Sequence, residues 1–509
     1  MELTTNQPGI VYIVGAGPGD PGLITVRGKS CLEEADAVVY DRLCPGRLLD
    51  YAPKTALRID AGKTPGKPEH SQEEINGLLV KLAREGKKVV RLKGGDPFLF
   101  GRGGEEALAL KAARIPFEIV PGVTSAIAVP AYAGIPVTHR GIAAALTIIT
   151  GHEMTEKDAS QLDWEAIRKA SQTLVVLMGT ANLAEIIAKL QSAGLAGDTP
   201  VAVIENGTTY RQRLFHGELR NILEITAKAG LKAPAVIVIG EVVRLTENLN
   251  WLKGRRPLLG KRILLTRPLE QMPELARLIS EAGGEPLICP TIKLDREFTA
   301  DIQRIKAALN RADWLVFTSS HGVAGFFNAL NSLKMDTRCL HRVKVAAIGQ
   351  KTARALIEKG ILVDIMPPHF TSEGLLKELG PEEVKGKKVL LLRVSEAPPG
   401  LAAGLSNYGA DVEEYPVYNI QTETAFSGEI SDYLAAKNVD AAVFTSPSTI
   451  KGLLENIQGD SQLLNGVKVV CIGPVTSAFA GEQKITVSGV AENSSNEELV
   501  KVLISVLNA

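Results

Sequence analysis

The chain has 509 residues, 45% of them apolar, with 57 lysines and arginines against 57 aspartates and glutamates. That length calls for three or four folding units, and a net charge of zero leaves no global field to hold nucleic acid or an anionic membrane. The start, MELTTNQPGIVYIVGAG, lacks a basic n-region, no apolar run approaches the ~20 residues of a bilayer span, and five cysteines and seven histidines show no metal-ligand spacing, so a reduced, metal-free cytoplasmic protein is expected.

From Ile10 to Val243 short β-branched runs (IVYIV, VVY, KKVVRL, FEIV, ALTIIT, TLVVLM, TPVAVI, AVIVI) alternate with amphipathic segments such as Ser71 to Arg84 and Gly103 to Ala113. This alternation predicts α/β architecture. The first run enters GAGPGDPG, where Gly17, Gly19 and Gly22 satisfy GxGxxG and Asp41 follows at the distance of a ribose-binding acid. A nicotinamide oxidoreductase is therefore one reading. Pro18 and Pro21 count against it, because they remove backbone N–H groups that would cradle a pyrophosphate. The glycines then let a flat ligand approach the backbone. Periodicity breaks at ENLNWLKGRRPLLG, Glu247 to Gly260, which places a linker at residues 251–259.

Beyond it the chain repeats itself. KRILLTR at Lys261 returns as KKVLLLR at Lys387, ADWLVFTSS at Ala312 as VDAAVFTSP at Val439, and VKVAAIG at Val343 as VKVVCIG at Val467, at offsets of 126, 127 and 124 residues. A period this long is domain-sized and predicts two similar α/β domains with a ligand cleft between them. Hydroxyl-rich loops follow the strands: Thr318, Ser319 and Ser320, then Thr445 and Ser446, then Thr476 and Ser477. They could bind carboxylates at helix starts, and simple N-capping explains them too. A noncatalytic, two-lobed ligand-binding module is the alternative for this half.

In the first half VYIVGAGPGDPGLITVRG, YDRL, RLKGGDPFLFGRGGEE, VPGVTSAIAVPAYAGIPVTHR, LVVLMGT, AVIENGTTYRQR and APAVIVIGEVV occur in that order. Together they resemble the S-adenosylmethionine-dependent tetrapyrrole methylases, specifically the uroporphyrinogen-III C-methyltransferases, over residues 8–250. The resemblance implies a two-lobed fold and a homodimer. It assigns S-adenosylmethionine to Pro18, Gly94, Gly95, Asp96, Leu99, Thr124, Ser125, Met178 and Gly207, with the strand-end loops brought to one edge of a sheet. Met178 by itself reads as core; its place before Gly179 in the family motif makes it a cofactor residue. The same resemblance makes Asp41 a proton acceptor and Lys63 a proton donor. Without it, Asp41 would cap a turn and pair with Arg42, and Lys63 would be solvated surface. Arg42, Arg91, Arg102, Arg140 and Arg211 are candidates to clamp a polycarboxylate substrate.

The second half, with LTRP, VFTSSHGV, VAAIGQKTARAL, EEYPVYNI, FTSPST and IGPVTSA, resembles the uroporphyrinogen-III synthases from about Leu258 onward and gives a synthase half over residues 260–509. The resemblance implies that the first strand and the final third make one domain and the middle makes the other. It also implies that Tyr418 assists loss of the terminal hydroxyl of hydroxymethylbilane. The synthase product is the methylase substrate, so the expectation is a bifunctional enzyme of the siroheme and cobalamin branch.

Overall fold

A computed structural model describes residues 8–62, 71–151, 162–252, 254–295 and 302–509. The chain divides into two compact units, one running to Lys261 and including 281–285, the other made of 262–280 and 286–509. Among the described residues no helix is long and apolar enough to cross a membrane.

The first unit has two lobes. In one, β1 (Val11–Gly15), β2 (Ala37–Tyr40), β3 (Leu57–Asp60), β4 (Val89–Lys93) and β5 (Phe117–Val120) form a parallel sheet in the order β3-β2-β4-β1-β5. Strand order reverses direction between β4 and β1, and ligands of open α/β sheets gather outside strand ends at such a point. In the other lobe β6 (Leu146–Thr150), β7 (Thr173–Leu177), β8 (Pro200–Glu205), β9 (Arg213–Glu218) and β10 (Ala235–Ile239) form a mixed sheet in the order β6-β7-β10-β8-β9. The helix Ser125–Tyr132 follows β5, yet its Ala126 and Val129 join the apolar cluster formed on the second sheet by Val175, Ala202, Ile204 and Val236. It ties the lobes together.

Two strands escape the sequence reading, β3 and β9. Both are edge strands whose side chains are half exposed or exposed, so neither carries the continuous apolar run that marks a buried parallel strand. The segment expected to be a bare linker is docked instead. The Trp251 ring packs edge-on against Tyr132 at 5.3 Å, and its N–H donates to the Ala131 carbonyl at 2.9 Å. Arg256 lies over both rings and pairs with Asp20 at 3.2 Å.

In the second unit β11 (Arg262–Leu265), β12 (Glu285–Ile288), β18 (Ala441–Phe444), β19 (Lys468–Cys471) and β20 (Val487–Val490) make one sheet, in the order β12-β11-β18-β19-β20. The other holds β13 (Ile292–Asp295), β14 (Trp314–Phe317), β15 (Lys344–Ala347), β16 (Lys388–Val394) and β17 (Asp411–Thr422), in the order β13-β17-β16-β14-β15. The two copies of the repeat have therefore exchanged first strands: β11 lies with β18 and β19, and β16 with β14 and β15. Equivalent bonds hold both junctions. The Arg262 N–H donates to the Asp440 carboxylate at 2.7 Å, and the Lys388 N–H donates to that of Asp313 at 2.8 Å.

Candidate active site

Glycines join the strand-end loops of the first sheet. Gly17 and Gly95 exchange backbone hydrogen bonds of 3.2 and 2.8 Å. A Cβ on Gly15 would lie 2.5 Å from Gly122 Cα, and one on Gly122 would lie 2.3 Å from the Gly95 carbonyl oxygen, so the loops after β1, β4 and β5 meet backbone to backbone. The Gly17 N–H is thereby spent on Gly95 and is not available to a pyrophosphate. Asp96 pins the same junction, one carboxylate oxygen accepting the Phe98 N–H at 2.8 Å and the other the Gly122 N–H at 3.0 Å. On Gly94 and Gly95, by contrast, a Cβ would meet nothing nearer than 3.6 and 3.8 Å. These are ordinary contact distances, so this peptide is uncrowded but not free of neighbours.

The expected cofactor loops do not all lie on one sheet edge. Those bearing Pro18, Gly94 to Leu99, Thr124 and Ser125 follow strands of the first sheet, while Met178 follows β7 and Gly207 follows β8 of the second. Asp20 and Gly19 join the two sets: the Asp20 N–H donates to Thr208 Oγ1 at 3.1 Å, and Tyr132 donates to the Asp20 carboxylate at 3.0 Å. Burial and the charge of Asp20 push the Tyr132 phenol up to about 12, so it stays a donor. Thr124 caps the helix Ser125–Tyr132 by accepting the Ala126 N–H at 3.3 Å. Leu99 is half-buried against the second-sheet cluster, and Gly207 sits where a Cβ would strike Val129 at 2.2 Å. Met178 is no core residue: it is 50% exposed, with φ +54°. Asn206 and Thr208 also have positive φ, and such uncommon backbone clusters at ligand sites.

Asp41 lies in the turn after β2. Its Oδ1 accepts from Arg91 at 2.5 Å, not from Arg42, while its Oδ2 lies 3.9 Å from Lys93 Nζ. The turn touches this peptide, for a Cβ on Gly94 would sit 3.6 Å from Leu43 Cβ. Lys63 lies outside the described residues; Gly62 before it packs against the Arg42 backbone.

The arginines separate by burial. Arg91 cannot act as a substrate clamp, because its side chain is 2% exposed and committed to Asp41 and Glu106. Arg102 is exposed and forms a two-pronged pair with Glu105 at 2.7 and 2.8 Å. Arg42, Arg140 and Arg211 are exposed, Arg211 lying over its neighbour Tyr210. The sequence reading missed Glu106, Lys93, Tyr132, Thr208 and Arg256. A signal for one was present: Lys93 stands two residues from Arg91 in the otherwise apolar strand VVRLK, and buried charges require partners.

In the second unit Tyr418 is 6% exposed within an apolar cluster, yet its hydroxyl lies 3.2 Å from Ser319 Oγ. A register shift of β17 against β16 pairs Arg393 with Pro416 and Val394 with Tyr418, skipping Val417. Such a bulge re-aims the side chains beyond it. Burial raises the Tyr418 phenol above the ordinary tyrosine range, opposed by the Ser319 hydrogen bond. His321 packs edge-on against Tyr418 and lies 3.0 Å from the Gln271 amide, a pair sequence reading did not find. Ser319 and Ser446 are N-caps, accepting from the Gly322 and Thr449 N–H groups at 3.0 and 3.3 Å. Thr318 is half-buried beside Ser319. Thr476 corrects the expectation of a cleft-facing hydroxyl: it is 3% exposed, on the inner face of the helix Pro474–Glu482.

Two families match this chain. Residues 10–223 match the tetrapyrrole (corrin/porphyrin) methylases and residues 273–501 match uroporphyrinogen-III synthase HemD. A porphyrin biosynthesis protein HemD of Ruminiclostridium josui is 36% identical over 501 residues, 98% of each chain. The chain belongs to this family of fused tetrapyrrole methylases and uroporphyrinogen-III synthases. A uroporphyrinogen-III C-methyltransferase of Methanocaldococcus jannaschii is 52% identical over 241 residues, covering 47% of this chain and 99% of that one. Among solved structures, a uroporphyrin-III C-methyltransferase of Thermus thermophilus complexed with S-adenosyl homocysteine is 40% identical over 47% of this chain and all of the other, with a TM-score of 0.41. A mutant uroporphyrinogen III synthase of Thermus thermophilus is 21% identical over 49% of this chain and 99% of the other, with a TM-score of 0.39. The fusion is a bifunctional enzyme of tetrapyrrole biosynthesis, a methyltransferase followed by a synthase.

Proposed function

We propose that the second unit closes hydroxymethylbilane to uroporphyrinogen III with inversion of the last ring, and that the first unit methylates that product twice to precorrin-2. The observation that carries the methylase reading is the meeting of the Asp41 turn with the uncrowded Gly94–Gly95 peptide. S-adenosylmethionine, when bound, supplies the methyl group. The residues fit it: the side-chain-free Gly94–Gly95 peptide presents backbone to a flat ligand, Asp96 holds the loop beneath, and Thr124, Ser125, Met178 and Gly207 close the rim from both lobes.

Methylation of a pyrrole carbon leaves a cation that must lose a proton. Asp41 Oδ1 is occupied by Arg91, whereas Oδ2 has Lys93 only at 3.9 Å and belongs to a side chain 32% exposed, so Oδ2 takes that proton. Exposed Arg42, Arg140 and Arg211 bind substrate carboxylates, and Lys63 gives the macrocycle a proton only where another leaves it as the double bonds rearrange, so that one proton is lost per methyl group. Arg102, already paired with Glu105, has to release that partner to join them. Aligning two bound substrates supplies much of the rate, since orientation contributes up to roughly 7–11 kcal/mol.

In the synthase the Tyr418 phenol, kept protonated by burial, donates to the departing hydroxyl while the pyrrole nitrogen pushes it out. Ser319 orients that phenol, and Thr318, Ser446 and the helix starts receive carboxylates. Thr476 acts by packing. No metal enters either step. The protein works in the cytoplasm as a homodimer formed through its methylase unit.

The deciding experiment supplies hydroxymethylbilane with and without S-adenosylmethionine, in chelator and under reducing conditions. Type III product alone, then precorrin-2 on adding the methyl donor, is expected. Exclusive type I product would make the second unit the noncatalytic ligand-binding module. For the methylase, Asp41→Asn should keep cofactor affinity and slow transfer about 10²- to 10⁴-fold; turnover within a few-fold of the parent would remove Asp41 from the chemistry.

A further inference from the structure

We propose that Lys93 and Glu106, buried beneath the methylase site, are positioning residues that set the charge felt at Asp41, Lys93 directly from 3.9 Å and Glu106 through Arg91 and Lys93; this rests on the reading of Asp41 as proton acceptor. In β4 alternate residues share a face, which puts Arg91 and Lys93 together on the side covered by the helix Gly103–Ala112. That helix supplies Glu106, 0% exposed, whose Oε1 accepts from Arg91 Nε at 2.9 Å, Lys93 Nζ at 3.0 Å and Gln72 Nε2 at 3.3 Å. From Arg91 the chain continues to Asp41 Oδ1 at 2.5 Å. Two cations thus face two carboxylates, and only Asp41 reaches solvent.

A purely structural role accounts poorly for this arrangement. Buried ion pairs seldom outperform apolar residues of equal volume, because desolvation consumes the attraction. This one is also incompletely satisfied, for Glu106 Oε2 is buried with no hydrogen-bond partner among the described residues. The network ends on the single carboxylate whose second oxygen is free to meet substrate. Among the described residues Cys44, in the same turn, is a further titratable group facing Asp41. Its thiol donates to the Leu92 carbonyl at 3.3 Å and is pushed up to about 12, chiefly by burial and next by the Asp41 charge. It adds no charge at neutral pH. Lys93 and Glu106 are therefore a balanced pair, and removing either member leaves Asp41 beside an uncompensated charge of known sign.

The test is the pH–rate profile of single-turnover methyl transfer by the full chain with saturating S-adenosylmethionine and uroporphyrinogen III. Lys93→Met leaves Glu106 in excess, disfavours a second anion, and should move the acid limb to higher pH by about one unit or more. Glu106→Gln leaves Lys93 in excess and should move it to lower pH. The double variant restores neutrality and should bring the limb back toward the parent position. Calorimetry with S-adenosylhomocysteine identifies folded variants. Should one single variant not fold, Glu106→Asp, which retains the charge, should hold the limb in place while the remaining single still displaces it. Shifts of the same sign in both singles, no shift in either, or a double variant that sums its parents' losses would overturn the inference. Asp41→Asn separates the two levels. If it leaves the acid limb intact, the acceptor reading fails; if it removes the limb and the singles do not oppose each other, only the role of Lys93 and Glu106 fails.

Discussion

Gly122→Ala is the sharpest probe of the methylase cradle. The added Cβ would stand 2.3 Å from the Gly95 oxygen and 2.6 Å from Gly15 Cα, about 1 Å short of the 3.4 Å at which ordinary contact begins. Every colliding atom is backbone, so no side chain can rotate away. The loop after β5 has to withdraw from those after β1 and β4. Overpacking of this kind costs about 1–3 kcal/mol, and losing the Gly122 bond to Asp96 adds about 1 kcal/mol. Because the Gly94–Gly95 peptide moves with it, affinity for S-adenosylhomocysteine should fall at least tenfold, which corresponds to about 1.4 kcal/mol. Gly77→Ala is the control: it lies exposed in the helix Gln72–Arg84 with nothing within 4 Å of the new Cβ. That change should stabilise the chain by up to about 1 kcal/mol and leave affinity unchanged. Thermal unfolding followed by circular dichroism and titration calorimetry measure both quantities. A Gly122→Ala variant with parental melting temperature and affinity would refute the backbone-junction account.

Arg256→Ala removes the pair with Asp20 and the stacking on Tyr132 and Trp251; it should destabilise the chain by about 1–2 kcal/mol and weaken S-adenosylhomocysteine binding a few-fold, and parental calorimetry would show that the docked segment does not support the GPGD loop. Tyr418→Phe should slow ring closure about 10²- to 10⁴-fold with little change in isomer ratio, read by chromatography of the oxidised products. Because burial penalises the phenolate and raises Tyr418, the basic limb of the synthase pH profile should lie above pH ~10, the ordinary tyrosine value; a limb near neutrality that vanishes in Tyr418→Phe would contradict this. A chain cut after Gly386 separates β14 and β15 from β16, so the segment 262–386 alone should be protease-sensitive.

Much of the methylase fold was legible because its central strands are buried on both faces and read as unbroken apolar runs. What stayed hidden depends on distance along the chain or on which side of an element faces inward. Arg91 and Lys93 announce that a buried strand holds charges, but their partners come from Asp41 and Glu106, 50 and 13 residues away, and no local pattern names them. Arg91 was therefore assigned to the substrate when it belongs to the scaffold. Thr476 failed for a related reason: a hydroxyl after a strand suggests a loop, yet the helix starts at Pro474 and turns the third residue inward. The docking of Trp251 and Arg256 was obscured by composition, since a polar, Gly- and Pro-containing stretch looks the same lying on a surface as spanning between two.

The exchanged strands of the second unit bear on why so few polar groups suffice there. Both copies keep the same device for passing chain between lobes: a helix glycine against a crossing backbone. A Cβ on Gly325 would meet the Val417 carbonyl oxygen at 2.0 Å, and one on Gly452 would meet that of Thr291 at 2.4 Å. Both copies also start the helix with a capping serine, Ser319 or Ser446. Carrying the offset of 126 residues one step further aligns Cys289-Pro290-Thr291-Ile292 with Tyr415-Pro416-Val417-Tyr418. Ile292 thus holds the place that Tyr418 holds in the second copy, and it is buried without any hydroxyl to offer. The scaffold is duplicated and the tyrosine hydroxyl is not. On the proposed function, two near-equivalent helix starts would receive a chain of similar rings in either direction, and a single tyrosine beside one of them would make the directions unequal. Strand exchange bears on the same point, because each lobe contains strands of both copies and neither copy forms a lobe independently.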